Sequence, residues 1–122
     1  MRVSEISYEG PPPIDSYGAG GFRVREVFHE GGLLITPANL MQWDHGAPLT
    51  PADFVRIEAE ASDIDVLLIG MGPEIAPLPS ACRAMLEGAG VGAEIMSTPS
   101  ACRTYNVLLA EDRRVAAALI AI

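Results

Sequence analysis

The sequence predicts one α/β domain of three layers, in which helices flank a central mixed β-sheet and a β-hairpin lies at the N-terminal end. Two observations support this prediction. From residue 50 onward, segments with helix-type and strand-type patterns alternate three times, which is typical of helices packed against a largely parallel sheet. Before residue 50, short apolar segments are separated by glycine and proline, which indicates antiparallel strands and makes a mixed sheet the expectation.

The first 20 residues are expected to form a flexible tail. Residues 10–13 are Gly-Pro-Pro-Pro, and proline supplies no N–H group to a helix or to a sheet. Three glycines within residues 18–21 continue this irregular composition. The domain itself is therefore predicted to span residues 21–122.

The N-terminal hairpin is predicted from two strands. Apolar and polar residues alternate over residues 22–27, and residues 33–35 are a short apolar run that ends before Pro37. Two adjacent glycines lie between these segments as a turn signal. The two segments are therefore expected to pair with each other, and residues 41–43 are expected to follow as a short strand or an extended loop.

The alternating half begins with a helix predicted over residues 51–61. Thr50 can cap this helix, Pro51 suits its first position, and Asp53 suits the positive end of the helix dipole. A continuous apolar run over residues 66–69 follows. Such a run fits a strand that is buried on both faces.

The remaining four elements continue the alternation. A helix is predicted over residues 79–88, because an apolar stripe runs along it and glycines close it. Alternating apolar residues predict a strand over residues 91–95. A helix beginning at Thr98 has apolar residues at helical spacing. The apolar run over residues 115–122 predicts a last, buried strand.

Composition and charge exclude several classes of protein. Hydrophobic residues make up 49% of the 122 residues and the formal net charge is −8, so the chain is neither disordered nor suited to nucleic acid or to anionic lipid surfaces. Two cysteines are too few for a disulfide scaffold. The longest strongly apolar stretch, residues 115–122, is too short to span a membrane. Every basic residue is an arginine, which excludes Schiff-base chemistry and a phosphate-loop lysine.

The N-terminal residues carry no recognisable targeting signal. They contain no apolar segment of the secretory type, and they lack the arginine-rich, acid-poor character of a mitochondrial transit peptide. A soluble cytoplasmic protein is therefore expected, with both cysteines as reduced thiols.

The pentapeptide Pro-Ser-Ala-Cys-Arg occurs twice, at residues 79–83 and 99–103, each time at a predicted helix start. One interpretation is a pair of equivalent anion-binding sites, because N–H groups are free at the N-terminus of a helix. The other interpretation, which we favour, is that helix starts draw on the same few residue types. Two copies at one spacing do not make a repeat architecture.

The first buried strand is followed by a loop that contains Gly70, Met71 and Gly72. A dinucleotide-binding fingerprint needs a third glycine and a helix directly after the loop. Here position 75 is isoleucine and Pro73 interrupts the loop, so dinucleotide binding is not expected. We favour a tight turn whose backbone passes close to a neighbouring element.

The start of the third helix carries the most specific candidate site residues. Thr98, Ser100 and Arg103 lie in its first turns, where N–H groups and a guanidinium can hold a carboxylate or a phosphate. Cys102 at the same place is a candidate thiolate nucleophile. However, neither histidine lies in a recognisable Cys-His signature, and a buried inert thiol is the favoured interpretation. Arg103 and Asn106 share a helix face, and structural hydrogen bonding explains them equally well.

No cofactor and no metal are predicted. Trp43, Asp44 and His45 lie together in a loop, but a metal site needs three or four ligands. The two cysteines are twenty residues apart and form no Cys-x-x-Cys pair. No carboxylate pair suited to acid–base catalysis is recognised, so the chain is not expected to be an enzyme.

Several motifs resemble one known family in their order and spacing. These motifs are Ser-Tyr-Gly at 16–18, Leu-Ile-Thr-Pro at 34–37, Leu-Ile-Gly-Met-Gly-Pro at 68–73, Thr-Pro-Ser-Ala-Cys-Arg-Thr-Tyr-Asn at 98–106 and Arg-Arg-Val-Ala-Ala-Ala-Leu at 113–119. Over residues 14–122 the chain resembles the family of the mitochondrial complex I assembly factor 3, catalogued as domain-of-unknown-function family 498. The resemblance implies a three-layer α/β fold with a mixed central sheet, no established enzymatic activity and no known cofactor.

Three functional hypotheses follow. The resemblance implies a non-enzymatic assembly or interaction protein, whose partner is a subunit of a respiratory membrane complex. The alternative is a domain that binds a small ligand or anion. Ligands of α/β sheets bind beyond the carboxyl ends of strands, where the loop at 70–72 and the helix start at 98–103 are expected to line one crevice. An enzyme that depends on Cys102 ranks last.

Overall fold

Nine strands form two sheets in the computed structural model, which describes the backbone of residues 5 and 6 and all of residues 10–122. The strands are β1 (Glu5–Ile6), β2 (Ser16–Gly18), β3 (Gly21–Val24), β4 (Val27–Glu30), β5 (Gly32–Ile35), β6 (Leu40–Trp43), β7 (Val66–Gly70), β8 (Gly92–Met96) and β9 (Val115–Leu119). The helices are α1 (Val55–Ala59), α2 (Ser80–Gly88) and α3 (Thr98–Ala110), and short 3₁₀ turns flank α1 on both sides.

The larger sheet has the strand order β1-β6-β5-β9-β7-β8. Strands β7, β8 and β9 are parallel, whereas β5 is antiparallel to both β6 and β9. The sheet is therefore mixed, as predicted. The last strand of the chain, β9, lies in the middle of this sheet, and all five of its residues are buried. It joins the antiparallel half of the sheet to the parallel half.

Helices cover both faces of the larger sheet. From β7 the chain moves to β8 through α2, and from β8 it crosses back to β9 through α3. Because crossovers between parallel strands are right-handed, this reversal of direction puts α2 and α3 on opposite faces. The buried side chains accordingly form two clusters. Phe54, Ile57 and Leu86 belong to one cluster, and Ala101 and Tyr105 belong to the other. The predicted three layers are confirmed.

The N-terminal hairpin exists, but its predicted strand pairing is wrong. Strand β3 pairs with β4, and β2 pairs with β3, so these strands form a separate three-stranded antiparallel sheet. The segment predicted as one strand over 22–27 is broken at Arg25 and Glu26, which both have positive φ angles. Strand β5 pairs instead with β6 and β9. The Arg-Glu pair is not a typical residue choice for a turn with two positive φ angles, which explains why the pattern concealed the turn.

Ordered structure begins before the predicted domain start at residue 21. Strand β2 lies within the predicted tail, and the side chain of Ile14 is buried with α3 and β9. Residues 1–4 and 7–9 lie outside the described residues, so the predicted mobility of residues 1–20 stays a prediction.

The helices follow the predicted start signals. At the start of the first helical segment, Asp53 Oδ2 accepts a hydrogen bond from the N–H of Thr50 at 2.8 Å, and the N–H of Asp53 donates to the Thr50 carbonyl at 2.9 Å. The helix predicted over 51–61 is α-helical only in α1, because its first residues form a 3₁₀ turn. The predicted bounds of α2, β7 and β8 agree with the structure to within about two residues, and α3 begins at Thr98 as predicted. The last strand, predicted over residues 115–122, ends at Leu119.

Candidate functional site

The carboxyl ends of the three parallel strands meet at one edge of the larger sheet. In the strand register, Gly70 lies beside both Met96 and Leu119. Strand β6 ends at Trp43 on the same edge. In β5, Gly32 lies opposite Trp43, and the next residue, Leu33, lies opposite Leu119 at the end of β9. The loops after β6, β7 and β9 and the start of α3 therefore come together there. This edge is where α/β sheets commonly bind ligands.

Thr98 joins three of these segments. Its side chain is fully buried. The Oγ1 atom accepts a hydrogen bond from the N–H of Gly72 at 3.0 Å and donates one to the carbonyl of Ile120 at 2.7 Å. The N–H of Thr98 donates to the Gly72 carbonyl at 2.7 Å. The structure therefore brings the predicted glycine loop and the predicted helix start together.

Gly70 is required by the same contact. A Cβ atom on Gly70 would lie 2.9 Å from the Cα of Thr98, which is closer than the backbone of α3 permits. The predicted close approach of backbone at this loop is confirmed. Direct packing of Gly70 and Gly72 against Thr98 occupies the space between the loop and the helix start.

The N–H groups at the start of α3 are paired within the chain. The N–H of Thr98 reaches Gly72, as described above, and the next residue is proline. The N–H of Ser100 donates to Oγ of Ser97, which caps the helix, at 3.3 Å. Arg103 is exposed, and its Nη2 donates to Oγ of Ser100 at 3.4 Å. Of the groups predicted to hold an anion here, the guanidinium of Arg103 is therefore the exposed one.

Cys102 is buried against the larger sheet. Burial raises the pKa of the Cys102 thiol to about 12, and the nearby Arg103 charge lowers this pKa only in part. The side chain is therefore a protonated thiol at neutral pH, which is a poor nucleophile. Cys82, its counterpart in the repeated pentapeptide, is buried in the cluster on the opposite face of the sheet. The two copies of the pentapeptide therefore do not share a site.

Asn106 and Tyr105 connect the N-terminal segment to α3 through hydrogen bonds. Asn106 donates from Nδ2 to the Ile14 carbonyl at 2.8 Å, and its Oδ1 accepts from the Ile14 N–H at 2.8 Å. The Tyr105 hydroxyl donates to the Pro12 carbonyl at 3.0 Å. Asn106 is therefore a structural hydrogen bonder, which is one of the two interpretations that the sequence left open.

An apolar cavity, partly open to solvent, lies beside the glycine loop. Its volume is about 240 Å³, and it is lined by His45, Gly46, Ala47, Pro48, Leu49, Met71, Pro77, Pro79 and Ile120. Three loops, after β6, β7 and β9, contribute these residues. Of the predicted site residues, only Met71 lines the cavity. No local motif marks the cavity, because its walls meet only through the tertiary fold.

The small sheet carries a second concave surface of about 280 Å³, lined by Ser16, Tyr17, Gly18, Ala19, Gly21, Arg23 and Phe28. The guanidinium carbon of Arg23 lies 5.8 Å from the centre of the Phe28 ring. The same ring covers Gly21, where an added Cβ would come within 2.6 Å of its Cζ atom. Phe28 is thus held in place although its side chain is partly open to solvent.

The described residues show neither a metal-binding cluster nor a membrane span. Within residues 5–6 and 10–122, no three side chains of histidine, cysteine, aspartate or glutamate are grouped to hold a metal ion. Over the same part of the chain, no helix has both the length and the apolar character needed to cross a bilayer.

The chain is similar to several bacterial proteins. A family model described as a protein of unknown function (DUF498/DUF598) matches residues 14–120. An uncharacterized protein of Rhodobacter capsulatus is 47% identical over 98% of this chain and 93% of its own length.

Two solved structures extend the similarity to the fold. A Bartonella henselae crystal structure, described as that of an outer membrane protein, is 42% identical, covers 93% of this chain and 98% of its own, and has a TM-score of 0.86. A Bordetella pertussis protein described as a Mth938-like domain is 26% identical, covers 98% of this chain and 92% of its own, and has a TM-score of 0.79. The chain therefore belongs to the DUF498/DUF598 family of proteins of unknown function, which also includes proteins similar to the complex I assembly factor 3.

Proposed function

We propose that this protein is a non-enzymatic interaction protein that binds a partner protein through the small N-terminal sheet. The observation that carries the proposal is the concentration of exposed apolar side chains on that sheet. Three of the six exposed large apolar residues in the described part of the chain lie there. They are Tyr17 and Phe28, each 40% exposed, and Val27, which is 50% exposed. Tyr17 and Phe28 line one concavity, whereas Val27 lies beside Val24 on the other face of the sheet from Phe28. Exposed apolar side chains that share a concavity are characteristic of protein-binding surfaces.

The chemistry of this surface supports the same conclusion. Tyr17, Arg23 and Phe28 line one concavity, and aromatic residues and arginine are the types that dominate binding energy at interfaces. Phe28 is already positioned by Gly21 and Arg23, so little side-chain freedom is lost when a partner covers the ring. Among the described strands, β2 and β4 each pair only with β3, so both are edge strands to which a partner strand can add.

The partner that we propose is a subunit of a respiratory membrane complex. Its support is the family relationship to proteins similar to the complex I assembly factor 3. A non-enzymatic role is supported by the protonated thiol of Cys102, because that thiol was the strongest nucleophile candidate.

Crosslinking in the cells that produce the protein, followed by affinity capture, tests this proposal. Three proteins are compared: the wild type, the double variant Tyr17→Ser with Phe28→Ser, and Val107→Ser. Val107 is the matched control, because it is 56% exposed but lies on α3 and not on the small sheet. We expect the wild type and the control to enrich the same respiratory-complex subunit, and the double variant to lose it.

Folding must be preserved for that comparison to count. Because the Phe28 ring also covers Gly21, thermal unfolding of all three proteins is measured first, and the capture experiment is interpreted with variants that remain folded at the temperature of the assay. Equal enrichment of the subunit by the double variant would contradict binding through the small sheet. Enrichment of no respiratory subunit above a tag-only control would contradict the proposed partner.

A further inference from the structure

We propose that the apolar cavity at the carboxyl edge of the larger sheet binds a small neutral aromatic molecule that carries one N–H or O–H donor, of the phenol or indole class. The proposal concerns a surface separate from the small sheet, so it does not depend on the proposed function. It rests on the size of the cavity, on the chemistry of its walls and on the position of one imidazole ring.

The volume of the cavity indicates the size of a ligand that it can hold. At about 240 Å³, it is smaller than the pockets of roughly 300 Å³ or more that hold drug-sized ligands. It is larger than a cavity of about 150 Å³, which is sufficient for benzene. One aromatic ring or two fused rings therefore fit. Its place beyond the carboxyl end of β7 agrees with the usual position of ligands in α/β sheets.

The walls favour a neutral ligand. Leu49, Met71 and Ile120 contribute apolar side chains, and three prolines complete much of the lining. Proline has no N–H group, so these stretches of wall offer no backbone donor to an anion. A charged ligand would lose hydration without recovering hydrogen bonds, which disfavours its binding. A flat apolar ring loses little hydration and gains close contact with the walls.

His45 supplies the polar contact. Its Nδ1 lies 3.0 Å from the carbonyl oxygen of Gly46. Because a carbonyl only accepts, Nδ1 donates in this hydrogen bond, and a ring that carries a single proton then has Nε2 as an acceptor. A ligand that pairs with Nε2 must therefore donate, which selects an N–H or O–H group.

The surrounding loop holds this acceptor in place. The His45 ring packs against Trp43 with 4.7 Å between ring centres, and Trp43 Nε1 donates to the Asp53 carbonyl at 2.9 Å. The Asp53 carboxylate accepts from the N–H of Gly46 at 3.0 Å and from that of Thr50 at 2.8 Å. A rigid loop of this kind reduces the entropy that is lost when a ligand binds.

Titration of the ¹⁵N-labelled protein, followed by NMR, tests the inference with three probes. Indole carries the required donor, 1-methylindole lacks it, and indole-3-carboxylate adds a negative charge. We expect indole to shift the amide signals of Leu49, Met71 and Ile120 saturably, with a Kd on the order of 1 mM, as suits so small a ligand. The other two probes should bind several-fold more weakly, because each loses a hydrogen bond or its hydration.

Three variants assign the binding to this cavity. His45→Phe keeps an aromatic ring against Trp43 but removes the acceptor, so indole and 1-methylindole should then bind equally. Ala47→Leu fills the cavity from an exposed loop position and should abolish binding. Val107→Ser, on α3, should bind indole as the wild type does.

Two results would overturn the inference. If the wild type binds indole and 1-methylindole equally, Nε2 of His45 does not select a donor. If indole produces no saturable shifts, or shifts only residues away from the cavity, the site does not exist. Affinity capture of the partner protein by Ala47→Leu should remain normal, which separates this inference from the proposed function.

Discussion

Replacing Thr98 with valine tests the central hydrogen-bond arrangement of the carboxyl edge. Valine has nearly the same shape as threonine, but it has no hydroxyl group. The substitution leaves the buried N–H of Gly72 without the Thr98 oxygen that accepts from it at 3.0 Å, and the carbonyl of Ile120 without the donor at 2.7 Å. Packing is almost unchanged, so the effect isolates the two hydrogen bonds.

The expected loss of stability is about 2 kcal/mol. A buried donor left unpaired costs roughly 1–3 kcal/mol, and Gly72 is buried. Ile120 is only half-buried, so water can replace part of its lost contact. Unfolding entropy of about 2.1 cal per mol per kelvin per residue, over 122 residues, converts this loss into a decrease in Tm of about 8 °C.

Urea denaturation measures the free energy of unfolding, and Thr98→Ser is the matched control. Serine keeps the hydroxyl and deletes one buried methyl group, which should cost about 1 kcal/mol. Hydrogen exchange at the Gly72 amide should accelerate in Thr98→Val but not in Thr98→Ser. A valine variant that is as stable as the wild type, with unchanged exchange at Gly72, would refute the reasoning.

Three further predictions follow from single residues. Gly70→Ala should lower the free energy of unfolding by about 1–3 kcal/mol, because its Cβ would meet the α3 backbone. Gly88→Ala, which has open space around it, should stabilise α2 by up to about 1 kcal/mol. Chemical denaturation compares the stabilities of the two variants. The free energy of unfolding should fall as the pH rises from about 9 toward 12, because the pKa of the Cys102 thiol is about 12 in the folded protein and near 8.5 in the unfolded chain. Cys102→Ala should lose this pH-dependent part of the stability. Identical pH profiles of stability for the wild type and Cys102→Ala would contradict the prediction. Arg103→Ala should alter the free energy of unfolding by about 0.5 kcal/mol or less, because Arg103 is exposed; a variant that unfolds would show that Arg103 is structural.

Much of the fold was predictable from local sequence signals. The start of α3 is marked by a proline in its first turn, and strand β7 is marked by a continuous apolar run. These signals act within a few residues, through dihedral preferences and through the demand for burial. The break between β3 and β4 at Arg25 and Glu26 was not predictable. The positive φ angles there are imposed by the pairing of β4 with β3 and not by the preferences of these two residues.

The candidate sites divide in the same way. The sequence placed Gly70 and Thr98 at a strand end and a helix start, and it indicated a close backbone approach at the glycine loop. It did not reveal that Asn106 forms hydrogen bonds with Ile14, a residue 92 positions away, or that residues after three different strands line one apolar cavity. Short-range patterns determine elements because backbone preferences and burial act locally. Sites are decided by the tertiary structure, because only the order and direction of the strands bring distant loops to the same edge of the sheet.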